Sequence, residues 1–219
     1  LNYPAIRKKG WFNLEVFQKP TKFQEVIDLD QLVPSAFLES TLNGRHSGRL
    51  IYMSMGNGSV DLRLMRRLVE VLGKTTHKYI VSKGPLHSEY ELAPNMYGES
   101  YLPQTKLLPH VDLVITHGSN PTVTEAFIEG KPMVILPLFV DQFDNAQRLH
   151  ETGFGVRIDP WRFTDEELIH AINRLMYNED LDRRLKFAAK RIRSSNRHEE
   201  LVLKIEEIAD KNRTKRGFF

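Results

Sequence analysis

The 219-residue chain contains no cysteine. Disulfide frameworks and thiolate metal sites are thereby excluded, and a reducing setting, the cytoplasm, is the expected compartment. Long apolar runs are missing as well. The longest, Val134 to Val140, is interrupted by Pro137 and falls far short of the ~18 residues that cross a bilayer. Neither a membrane span nor a secretory leader is expected from these residues, although Leu1 is not an initiator methionine. Paired metal-ligand spacing is also lacking, because none of the eight histidines has another three or four residues away, so no metal is expected to be required. Acid is absent from one long stretch: Arg183 to Arg197 carries seven Lys or Arg and no Asp or Glu. Aromatic residues hardly interrupt that stretch, Phe187 apart, so a solvated helix face fits it better than a nucleic-acid partner.

What is present supports one domain with appendages: 41% hydrophobic residues and a net charge of only +3. Residues 1–48 carry apolar residues without sustained period, broken by Pro4, Pro20 and Pro34, and read as an extended connector or the end of a preceding half. From Leu50 the rhythm alternates strand and helix. Strands are expected over Leu50–Met55, Tyr79–Ser82, Met96–Ser100, Leu113–Ile115 and Met133–Leu136. The uninterrupted apolar character of Leu113–Ile115 and Met133–Leu136 indicates burial on both faces. Asp61–Lys74 places Leu62, Met65, Leu68, Val69 and Leu72 on one helical face, and Thr164 with Glu167 forms a capping box for a later helix. The expected fold is α/β, a doubly wound parallel sheet of the Rossmann type, over residues 49–197. Residues 198–219 are expected to form a last helix and a basic tail.

Three polar clusters, Tyr101 to Gln104, His117 to Asn120 and Asp141 to Asn145, sit where a strand should give way to a helix, and a glycine loop follows the first strand. Gly56, Asn57, Gly58 and Ser59 follow the first strand, and the glycines permit close approach of backbone to a ligand. His117, Gly118, Ser119 and Asn120 follow Leu113–Ile115. Asn120 is placed to cap a helix running from Pro121 to Glu129, which Gly130 ends. Asp141 and Gln142 precede a helix expected to start near Asp144. Each junction lies at the carboxyl end of a strand, where open α/β sheets bind ligands and helix amino termini receive phosphate.

The ordered set Tyr101, Pro103, Gln104, His117, Gly118, Glu125, Asp141 and Gln142 resembles the signature of the UDP-glycosyltransferases, with Ile51 to Ser59 resembling their first strand and glycine loop. The resemblance runs from about Leu50 to Asp159. It implies the carboxyl-terminal half of a two-domain fold of the GT-B type, which holds a UDP-sugar while the other half supplies the acceptor and a histidine base. Transfer of a hexose, expected to be glucose, to a small lipophilic acceptor with inversion follows from it, with UDP-sugar as donor substrate and no metal or other cofactor. On this reading Gly56 and Asn57 border the phosphates, and Tyr101 and Gln104 hold the nucleoside. His117, Gly118, Ser119, Asn120 and Thr122 face the pyrophosphate, Glu125 accepts the ribose hydroxyls, and Asp141 with Gln142 holds the hexose. Other assignments stay open: Tyr101 as a cover for the sheet edge, Glu125 as an ordinary first-turn carboxylate. Asp141 could cap a helix, although Asp144 is better placed for that. No catalytic residue is nominated, and the chain alone should bind without turnover. The alternative is a donor-binding subunit of a split enzyme or a degenerate family member. Ser119 and Pro121 depart from the family pattern, and Ser119 would be strained if its φ had to be positive.

Overall fold

Apolar strands that pair in register place every strand end on one line. In the computed structural model, which describes residues 28–40, 48–56, 58, 61–194 and 202–210, six parallel strands form one sheet in the order β3-β2-β1-β4-β5-β6. They are β1 (Leu50–Ser54), β2 (Lys78–Ser82), β3 (Met96–Glu99), β4 (Leu113–Thr116), β5 (Met133–Ile135) and β6 (Gly155–Arg157). Ser54 pairs with Ser82 on one side and Thr116 on the other, Ser82 with Glu99, and Thr116 with Ile135. The carboxyl ends therefore finish level, and the loops that leave them share one edge. Apart from half-buried Leu50, the central strands β1, β2, β4 and β5 are buried, as the apolar runs require when helices cover both faces.

The sequence reading contains no β6, which is short and carries only Val156 as an apolar residue. Its pairing with β5 is possible because Gly155 has no side chain: a Cβ there would lie 2.7 Å from the Met133 carbonyl and 2.7 Å from Ile135 Cδ1.

The helices include α1 (Ser35–Glu39), α2 (Leu62–Leu72), α3 (Gln104–Leu107), α4 (Asn120–Ile128), α5 (Gln142–Glu151), α6 (Asp165–Met176) and α7 (Glu179–Arg193), and residues 202–210 of the expected last helix are helical as well. Their starts follow side-chain capping. Asp61 accepts from Leu64 N at 3.0 Å, Thr164 from Glu167 N at 3.1 Å, and Asn178 from Leu181 N at 3.0 Å. Two expected starts move. Ser119, not Asn120, occupies the cap position of α4, and α5 begins at Gln142 with Asp141 in its cap position. The hydrogen bonds that Gln142 makes back to Leu138 and Phe139 close this turn and bring that second start forward by two residues.

Part of the expected connector is ordered structure. Residues 28–40 hold a 3-10 turn at Leu29–Gln31 and then α1, docked by buried Val33 and by Phe37 against Tyr97 at 6.0 Å. Lys78, itself buried, donates from Nζ to the carbonyls of Phe37 and Leu38 at 2.6 and 2.5 Å. A cation at the carbonyl end of a helix satisfies acceptors that have no intrahelical partner. The rest of residues 1–48 before Gly48, Asn57 and Ser59 in the glycine loop, and residues 195–201 and 211–219 of the basic stretch and tail lie outside the described residues.

Candidate functional site

The strand order steps away from the β1–β4 pair in both directions, and loops leaving such a pair turn to opposite faces, opening a crevice at the carboxyl edge. Gly56 stands on one wall with φ +78°, and a Cβ there would lie 2.7 Å from His117 Nε2 on the other. The glycine thus makes room for the imidazole. His117 is 7% exposed, with Nδ1 3.3 Å from Thr116 Oγ1. Burial pushes its pKa below the ordinary histidine value, against a Ser54 backbone hydrogen bond and the Asp141 charge, which pull it up. The ring is therefore neutral near pH 7.

The left-handed corner of the β4–α4 loop falls on Gly118, at φ +89°, where a Cβ would meet Ile135 Cγ2 at 2.7 Å. Ser119 has φ −62° and ψ 147°, an extended conformation open to any residue, so the departure from glycine at this position carries no backbone strain. Beyond it α4 presents its first-turn N–H groups. Those of Asn120 and Thr122 have no helix carbonyl to bond, whereas Pro121 offers none. Asn120 is exposed; Thr122 is buried, its hydroxyl accepting from Ser119 Oγ at 3.2 Å and Gln104 Nε2 at 3.3 Å.

Sequence-distant parts of the motif meet on this helix. Gln104 Nε2 donates to Glu125 Oε2 at 2.6 Å, so α3 folds back onto the first turns of α4. Tyr101 precedes α3 and is 71% exposed, leaving a free aromatic face at the same edge. Tyr52 lies beneath, a residue the sequence reading takes only as part of an apolar strand. Its phenol bonds Ser54 and Ser82, and burial pushes its pKa up to about 12, with the nearby Glu125 charge adding to the effect. Serines at the carboxyl ends of two otherwise apolar strands were the available signal for this polar floor.

On the far side, Asp141 is exposed, whereas Gln142 is only 3% exposed. The Gln142 side-chain carbonyl accepts from Leu138 N at 2.9 Å and Phe139 N at 3.2 Å. Asn145, one helical turn after Asp141, joins the two loops: its Nδ2 donates to the Gly118 carbonyl at 3.0 Å and lies 3.4 Å from Asp141 Oδ2. The i, i+4 spacing of Asp141 and Asn145 is its sequence signal. Among the described residues no group of three or more His, Asp or Glu side chains is arranged to hold a metal, and no helix is long and apolar enough to cross a membrane.

Residues 60–186 match the family described as UDP-glucoronosyl and UDP-glucosyl transferase. The chain belongs to this family. The match takes in every candidate residue from Tyr101 to Gln142 and leaves Gly56 just outside it. Among relatives, UDP-glucuronosyltransferase 1A6 of Oryctolagus cuniculus is 40% identical over 163 residues, covering 69% of this chain and 30% of the relative. An ecdysteroid UDP-glucosyltransferase of Lacanobia oleracea granulosis virus is 28% identical over 144 residues, covering 63% of this chain and 31% of the relative. The chain thus spans about a third of the length of the curated relatives it matches. The solved structure of spinosyn forosaminyltransferase superposes with a TM-score of 0.66 at 23% identity, covering 81% of this chain and 46% of that one. That likeness shows the fold, a Rossmann-like domain of the GT-B type. UDP-sugar glycosyl transfer is the activity of the family.

Proposed function

We infer that residues 49–197 form the UDP-sugar-binding domain of a glycosyltransferase that moves glucose from UDP to a small lipophilic acceptor with inversion. The observation that carries this reading is the convergence of Gln104 and Glu125, 2.6 Å apart, on the first turns of α4, at the same sheet edge where the His117 ring packs against Gly56. A carboxylate and an amide already held together are preorganised for paired ribose hydroxyls, and the exposed Tyr101 ring supplies a stacking face for uracil.

In the proposed chemistry the bond from the anomeric carbon to the UDP oxygen breaks as the acceptor hydroxyl attacks from the opposite side. The departing diphosphate gains negative charge, which the α4 amino terminus and the Asn120 and Thr122 N–H groups stabilise. A diphosphate beside His117 favours the protonated ring, whose second N–H can donate to the same oxygens while the first stays on the Ser54 backbone, so no metal is needed for this role. Asp141 accepts from sugar hydroxyls. A neutral hexose provides such donors, whereas a hexuronate would bring a second negative charge toward that carboxylate, which favours glucose. The name of the viral relative, an ecdysteroid glucosyltransferase, supports a lipophilic acceptor. The acceptor and the base that takes its proton belong to the other half of such an enzyme, so this chain alone binds donor without turnover.

Titration calorimetry of the 219-residue chain with UDP in EDTA tests the reading. Binding is expected without divalent metal. Glu125→Ala should weaken it by about 1.5–3 kcal/mol through lost charge-assisted hydrogen bonds to the ribose. No heat at millimolar UDP, with or without magnesium, would sink the proposal.

A further inference from the structure

Lys78, the first residue of β2, is a cation that the proposed chemistry does not use, and it is only 2% exposed. Among the described residues no carboxylate pairs with it, and burial pushes its pKa below the ordinary lysine value. A buried ammonium without a counter-charge is costly unless its donors are met. Here the partners come from α1. Nζ donates to the carbonyls of Phe37 and Leu38 and lies 5.4 Å from the centre of the Phe37 ring.

The contact matters as much to α1. Five residues are too few for a helix to persist on its own hydrogen bonds, and α1 buries none of them. Phe37 and Leu38 lie in its last turn, where carbonyls have no partner further along the helix; Ser40 Oγ shares the first of them, at 2.7 Å. From Leu29 to Ser40 only Val33 is buried, so little apolar surface fastens the segment to the sheet. Among the described residues no backbone hydrogen bond joins residues 29–40 to the sheet either. The start of β1 is held differently. Gly48 N donates to the Thr76 carbonyl at 2.9 Å, Arg49 N to His77 Nδ1 at 3.2 Å and Leu50 N to Asp112 Oδ2 at 2.9 Å.

We propose that residues 29–40 form a releasable strap, with α1 latched to the amino edge of the sheet by the Lys78 ammonium. Release frees α1 as a unit and stops at Gly48, where the chain is bonded into the sheet. The ammonium then returns to water, so opening strands no buried charge. The crevice lies at the opposite, carboxyl edge and keeps its form whether the strap is latched or free. What the strap governs is how the polypeptide before it is carried on this domain, whatever the crevice binds.

Native-state amide exchange of the 219-residue chain in graded, low denaturant tests this. The N–H groups of Val33, Phe37 and Leu38 bond within the segment, to the Leu29 and Pro34 carbonyls, and report on the strap, while Leu50 and Ile80 report on the sheet. Corrected for intrinsic rates, the strap amides should exchange about a hundredfold faster or more than Ile80. Their exchange should also depend on denaturant far less steeply, because a local opening exposes little surface. Leu50 should follow Ile80. Lys78→Met keeps the length and volume of the side chain without a donor, and should speed exchange at Phe37 and Leu38 about tenfold or more through lost charge-assisted hydrogen bonds. Strap amides that share the rate and denaturant dependence of Ile80 in the unaltered chain would show that α1 opens only with the whole fold. That result would overturn the strap even if Lys78→Met failed to fold. Unchanged exchange in Lys78→Met would remove the ammonium as the latch. Leu50 opening together with Phe37 would carry the release into β1 and overturn the fixed end at Gly48.

Discussion

At the scale of single residues, the proposed site has one group of residues assigned to the nucleotide and another assigned to the sugar. Gln104, Thr122 and Glu125 form one connected group, and Asp141 belongs to another, linked to it through Asn145 and the Gly118 carbonyl. Charge at Asp141 reaches His117 but no backbone donor is capped by its side chain. Asp141→Asn should therefore leave the fold intact. UDP affinity should hardly change, while the added affinity of UDP-glucose over UDP is lost, because a neutral amide is the weaker acceptor for sugar hydroxyls. Calorimetry with the two ligands compares these directly. An equal loss for both would place Asp141 in the nucleotide site or in the framework.

At the scale of elements, the amino terminus of α4 is the feature on which phosphate binding depends in the proposed function. Pro121 favours the helix start by fixing φ, yet it removes one of the N–H groups that a diphosphate could use. Pro121→Ala restores that donor without touching Ser119 or Thr122. UDP should then bind about tenfold tighter or more, since one added hydrogen bond to a charged group is worth about 1.5–3 kcal/mol. Thermal stability should fall slightly, by up to about 1 kcal/mol, as the unfolded chain regains freedom. Weaker UDP binding in this variant would show that the helix start, not the donor count, limits the cradle.

At the scale of the whole molecule, two buried histidines make stability depend on pH. His77 is 6% exposed at the opposite end of the sheet, where its Nδ1 accepts from Arg49 N at 3.2 Å and its Nε2 lies 3.4 Å from Asn173 Oδ1. Burial holds its pKa, like that of His117, below the ordinary value. In both cases the folded value lies beneath the unfolded one, about 6.5, so the unfolded chain binds more protons over the interval between them. Their contribution is fully present above pH 6.5 and is lost as pH falls through the folded values. Melting temperature measured from pH 8 to pH 5 should decline below 6.5. His77→Gln, which keeps a hydrogen-bonding side chain but cannot titrate, should make that decline shallower. Identical profiles for the two proteins would remove His77 from the account.

The sequence by itself determined the alternation of strand and helix from Leu50 onward, the capping at Thr164 and the loop chemistry at the carboxyl edge. These depend on side-chain period, cap residues and breakers, all of which act within a few positions. The chain's strand order and its level strand ends came from tertiary pairing, and so did β6, whose pairing depends on the missing side chain of Gly155 against β5. The docking of α1 depends on Lys78, a polar residue that reads as the border of a strand until burial turns its ammonium toward two helix carbonyls. The same holds inside the site. Sequence singled out Gln142 by its type, but only the fold decided where its carbonyl points. Leu138 and Phe139 present two backbone donors inside a tight turn. A buried donor left unpaired is costlier than a hydroxyl contact forgone.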